Sequence, residues 1–98
     1  MNEYAVFRVE AEKSMAIAKV TSDDIVSRQT IVVRESQALG FEPGWKYVLI
    51  EGSPEAVKRA RELFGEHGVS DAPNQEEVYK KIKAEEESAT EGMGFIFG

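Results

Sequence analysis

Residues 45–68, WKYVLIEGSPEAVKRARELFGEHG, read as a strand, a capped turn and a helix, and this unit decides the fold class. Trp45, Tyr47 and Leu49 alternate with Lys46, Val48 and Ile50, and faces that are this apolar place the strand centrally in a sheet. Ser53 is a good N-cap, Pro54 suits the first helical position, and Glu55 stands in the electropositive first turn. Ala56, Val57, Ala60, Leu63 and Phe64 then form one apolar stripe. The outer side carries Glu55 with Arg59 and Lys58 with Glu62, opposite charges four residues apart. The spacing predicts a helix from Pro54 to His67 packed on a sheet, closed by Gly68.

Upstream, EYAVFRVE (residues 3–10) sets Ala5, Phe7 and Val9 on one side and Tyr4 and Val6 on the other, the pattern of an internal strand covered on both faces. KSMAIAKVT (13–21) fits neither helical nor strand spacing cleanly, and is read as a strand returning from the first. Ser22 is expected to cap at most one turn of helix, with Asp23 and Asp24 in its first turn. The β-branched run Thr30 to Val33 favours a strand, because stiff side chains pack well on a pleated surface. Gly40 and Pro43-Gly44 then mark a reversal of the chain.

Downstream, VSDAPNQEE (69–77) reads as a loop leading to a second helix capped by Asn74, with Glu77 at the third position as in a capping box. Val78, Ile82 and Tyr79 are its large apolar anchors, so a peripheral position is expected. A Glu-rich stretch precedes the apolar end GMGFIFG, where Met93, Phe95 and Phe97 alternate with Gly94 and Ile96. The division expected is a single α+β domain over 1–91 and a C-terminal apolar tail, or last strand, over 92–98.

The 98 residues suffice for one small domain with a modest core. Without cysteine the chain has no disulfides, thiolate metal sites or thiol catalysis, which fits a cytoplasmic protein. A net charge of −6 opposes the field of a polyanion, so no nucleic-acid partner is expected. No run of ~20 apolar residues exists and the N-terminus is charged, so no membrane span is expected either.

Gly52 and Ser53, at a helix start, are the place where an anion or small ligand could meet free N–H groups, although Glu51 and Glu55 flank them and no phosphate-loop pattern accompanies them. Residues 52–68 resemble the strand–helix phrase of KH RNA-binding domains, with Gly65-Glu66-His67-Gly68 spelling their G-x-x-G. In that family the loop is usually basic and opens directly into another helix, whereas here Glu66 occupies it and VSDAPN follows. ALGFEPGWKYVLIEG (38–52) is similar to the Leu-Gly-x-x-Pro-Gly hairpin of swapped-hairpin transcription factors, but Trp45 stands where those usually carry Asp. Neither likeness names a family.

His67 is the single histidine and there is no G-x-S-x-G, so no catalytic, cofactor or metal residues are assigned. Two apolar groups stand out as association surfaces. Phe41 and Trp45 flank a turn as an aromatic anchor, and Met93, Phe95, Ile96 and Phe97 form a tail that needs a host.

The expected fold is an α+β two-layer sandwich. Four or five mainly antiparallel strands are covered by one main helix, with a peripheral second helix, and a ferredoxin-like arrangement is one option. The expected function is non-catalytic association, as a homodimer through sheet edges or the tail. A small-ligand regulatory domain and an accessory subunit of a larger enzyme are the alternatives.

Overall fold

The computed structural model describes residues 2–97, with side chains to residue 86. Four strands, β1 (Glu3–Glu10), β2 (Thr30–Glu35), β3 (Trp45–Gly52) and β4 (Ser70–Asp71), form one sheet in the order β2-β3-β1-β4. Every neighbouring pair is antiparallel. Three helices accompany them: α1 (Met15–Thr21), α2 (Pro54–Glu66) and α3 (Gln75–Phe97). Through β4 the chain is a βαββαβ unit, the split βαβ arrangement called ferredoxin-like, and α3 is appended to it. The domain is α+β, with a four-stranded antiparallel sheet and three helices.

The two central strands are the two whose both faces read as apolar. β1 and β3 pair along their whole length, from Glu3 opposite Gly52 to Glu10 opposite Trp45. Ala5, Phe7 and Val9 of β1 join Val48 and Ile50 of β3 on the inner face, under Ala16 and Val20 of α1 and Val57, Ala60 and Phe64 of α2. The Phe7 and Phe64 rings meet with centroids 4.5 Å apart. Ser53 caps α2 as expected, its hydroxyl accepting from the Ala56 N–H at 3.2 Å. Gly40 takes the left-handed φ of 87° at the reversal before β3, and Gly68 takes 73° after α2.

The structure differs from the sequence reading at five places. Residues 15–21 are helix α1, not a strand. The place beside β1 belongs to β3, so the chain leaving β1 must cross over the sheet before starting β2. A helix makes that crossing while hiding just Ala16 and Val20, four residues apart, and this small face left a weak pattern.

Ser22 ends α1 rather than starting the next turn. The cap belongs to Asp23, whose Oδ2 accepts from the N–H groups of Ile25 and Val26 at 3.1 and 3.3 Å. Within the expected loop, Ser70 and Asp71 form the short β4 opposite Arg8 and Phe7.

The largest difference concerns the second helix. Two layers with a peripheral α3 were expected, but Val78 and Ile82 are completely buried against Val6, Tyr47, Leu49 and Leu39. The sheet is therefore covered on both faces, and α3 supplies the outer layer rather than decorating the first. Residues 92–97, read as an apolar tail or last strand, continue helix α3, whose run of i to i+4 backbone bonds from Gln75 carries on through them; their side chains lie outside the described residues.

Candidate functional site

On the outer face, aromatic rings and basic side chains form a continuous layer between the sheet and its surroundings. Tyr4 of β1 stacks on Tyr79 of α3 with centroids 3.9 Å apart. Tyr47 meets Phe41 and Trp45 edge-on at 5.5 and 6.2 Å. The Arg8 guanidinium lies 3.9 Å from the centre of the Trp45 ring, and Lys81 lies 4.8 Å from that of Phe41 while donating to the Leu39 carbonyl at 3.1 Å. The expected anchor residues Phe41 and Trp45 are thus together, half-buried and packed against the outer core.

Beside Trp45 is a cavity of about 190 Å³, lined by Glu35, Ser36, Gln37, Pro43 and Lys46 among others. The Trp45 indole N–H is buried without a hydrogen-bond partner among the described residues, a costly state for a polar group. Ser36, also buried, donates its hydroxyl to the Glu42 carbonyl at 2.6 Å.

The helix start singled out as an anion or ligand position is already engaged. Gln29 Oε1 accepts from the Ser53 N–H at 3.3 Å, and the Ser53 hydroxyl uses the Ala56 N–H. Gly52 is buried, and a Cβ there would run into the Gln29 amide oxygen. The Gln29 side chain thus stands where a ligand between the sheet and this helix start would approach.

Besides the local pairs Asp24–Arg28 and Glu76–Lys80, ion pairs join elements that are distant in sequence. Glu51, on the outer face of β3, accepts from Tyr79 at 2.6 Å and from Lys83 at 2.8 Å, tying α3 to the sheet. The Lys83 ammonium, and then the Tyr79 phenol, hold the Glu51 carboxyl below its ordinary range. Glu51 in turn raises both Tyr79 and Lys83. Asp23 Oδ1 accepts from Arg59 at 3.0 Å, joining the segment after α1 to α2, and this bond lowers the Asp23 carboxyl. Arg61 grips both oxygens of Asp71, at 3.0 and 2.9 Å, fixing β4 to α2. Sequence reasoning singled out none of these pairs, because nothing in the local pattern of the chain marks contacts between separate elements.

The two sheet edges differ. At the β4 side the edge strand is just two residues long, and beyond it Gln75 Oε1 accepts from the Val6 N–H at 3.2 Å and the Ala72 N–H donates to the Val6 carbonyl at 2.7 Å, so side chain and loop extend the cover of β1 that β4 begins. At the β2 side, no strand among the described residues covers the outer edge. Ile31, Val32 and Val33 are each partly exposed there, and Arg34 reaches its Nη1 to the Val33 carbonyl at 3.0 Å. An Arg over an edge carbonyl is one of the ways in which proteins moderate an open strand.

No helix among the described residues is long and apolar enough to cross a membrane. The side chains of Met93, Phe95, Ile96 and Phe97 lie outside the described residues. No protein-family model, no curated protein and no solved structure matches the chain.

Proposed function

We propose that the chain is a non-catalytic module that works by association, as a homodimer formed through its sheet edge or its C-terminal segment 92–98. The observation that carries this reading is the contrast between the two edges: the one at β4 is two residues long, with Gln75 and Ala72 covering the rest of β1, and β2 presents an edge of six residues. An open β-branched strand exposes unpaired backbone groups and apolar side chains, and pairing with another strand satisfies both. The charged groups with perturbed protonation support the same reading, since each is bound in an ion pair or hydrogen bond that holds two elements together.

Light scattering on the full chain tests this directly. Twice the monomer mass is the expected result, and a monomeric mass at the highest soluble concentration would remove the proposal. The same measurement on a chain cut after Glu91 separates the two surfaces: a dimer that persists uses the edge, and one that is lost uses the segment beyond the cut.

A second reading, a small-ligand regulatory domain, is favoured by the cavity beside Trp45 and its unpartnered indole N–H. Its position is 35–46 rather than the helix start at Gly52. Thermal-shift screening with nucleotides, amino acids and divalent ions tests it, because a ligand bound to the native state alone raises the melting midpoint. Quenching of Trp45 fluorescence by the same compound would place the ligand there, and no shift with any of them would count against this reading.

A further inference from the structure

Resting on the self-association reading, we infer that the partner is a second copy joined through β2, antiparallel about a two-fold axis at Val33, so that the two sheets become one.

The inference starts from the direction of each backbone group. Val6 turns its N–H and C=O away from β3, toward Gln75 and Ala72. Hydrogen bonding alternates along a strand, so the odd-numbered residues of β1 face β3, and the bond from the Ala11 N–H to the Gly44 carbonyl continues that series. With Ala5 opposite Ile50 and Phe7 opposite Val48, the even-numbered residues of β3 face β1 and the odd-numbered ones face β2. Tyr47 and Leu49 lie opposite Arg34 and Val32, so the even-numbered residues of β2 face inward. Ile31, Val33 and Glu35 are left with N–H and C=O directed out of the sheet. The Arg34 guanidinium on the Val33 carbonyl is an independent check on that direction.

These three residues are symmetric about Val33. An antiparallel pair centred there sets Val33 against its own copy and Ile31 against Glu35, and uses every outward N–H and C=O. It places Val32 beside Arg34 on the outer face and brings no like charges directly opposite. Centring on Val32 would set Glu35 opposite Gln29, whose N–H already donates to the Val26 carbonyl. Centring on Arg34 would oppose two guanidinium groups.

Charge favours a second copy as well. The whole chain carries −6, yet residues 25–35 set Arg28 and Arg34 against Glu35 alone, so two such chains meet along this edge without the repulsion of the chain as a whole. Pairing requires Arg34 to release the Val33 carbonyl, while Glu85 of α3 remains within 3.4 Å of its Nε.

The test is amide hydrogen exchange on the full chain, read beside its mass. Protection of the Ile31, Val33 and Glu35 amides in the dimer, lost on dilution to monomer while Thr30, Val32 and Arg34 stay protected, is the expected result. A dimer in which the three outward amides exchange freely overturns the edge assignment and leaves the association reading standing; a monomeric mass overturns both. Val33→Pro removes an N–H unused within the chain, and should give a folded monomer; a dimer that survives it counts against the inference.

The register has its own test, since the chain has no native cysteine. Val32→Cys and Arg34→Cys proteins, mixed and oxidised, should form the mixed disulfide, because opposed non-hydrogen-bonded residues lie within bridging distance. A Val32→Cys homodimer formed in preference would overturn the axis at Val33.

Discussion

Tyr79 gives its phenol hydrogen to Glu51 Oε2 across 2.6 Å, joining α3 to the central strand β3. The Tyr79 ring also stacks on Tyr4 of β1, so one side chain holds the outer helix to both central strands. Tyr79→Phe keeps the ring and removes the hydrogen bond. Its expected cost is about 1 kcal/mol in urea unfolding, whereas Tyr79→Ala should cost more because the stack is lost too.

The pH dependence of the same cluster has two sides. Glu51 is held below its ordinary value of 4.5 in the folded state, so its contribution is complete above that value and is lost as pH falls through the lower folded value. Tyr79 and Lys83 are raised above 10.0 and 10.5, so theirs is complete below those values and is lost as pH rises through the folded ones. Glu51→Gln should flatten both flanks of a stability-against-pH curve measured by urea titration, and unchanged flanks would refute this assignment.

Ile82→Ala tests whether α3 is a structural layer. Ile82 is completely buried against the outer core, and truncating such a residue costs about 2–5 kcal/mol. A peripheral helix would lose well under 1 kcal/mol for the same change. Chemical denaturation distinguishes the two outcomes.

Gly52→Ala should destabilise the domain because the added methyl group displaces the Gln29 amide, which bridges the Ser53 N–H and the Ile25 carbonyl. Combining it with Gln29→Ala should cost less than the sum of the two single changes, the signature of a shared contact. Strict additivity would mean that the two residues do not compete for the same space.

Ser53→Ala removes the hydroxyl that accepts from the Ala56 N–H at the start of α2. The expected loss is about 1 kcal/mol, read as a lower unfolding midpoint with unchanged slope.

Regular pattern was legible in the chain, and contact between separate elements was not. β1 and β3 announced themselves through apolar residues on both faces, and α2 through Ser53, Pro54 and its stripe. The helix α1 was missed because its buried face is just Ala16 and Val20. The outer layer was underestimated because Val78 and Ile82 are few, and their burial depends on the aromatic sheet face they meet. β2 was legible as a strand from its β-branched run, but its place at the edge and its outward residues follow from the strand order and register. Asp23–Arg59, Arg61–Asp71 and Glu51–Lys83 join residues at least ten positions apart, and no local spacing marks them.

The place of β1 between β3 and β4 governs the order in which the chain can assemble. During synthesis the first strand emerges without either of its neighbours, and its main one is complete only at Gly52. Closing so long a loop is entropically slow compared with zipping the β2–β3 hairpin, so the opening segment waits while later ones organise. A fragment ending at residue 44 holds β1, α1 and β2 with no strand to stand between them. Its far-UV spectrum is expected to be that of a disordered polypeptide, and ordered sheet signal from it would contradict this sequence of events.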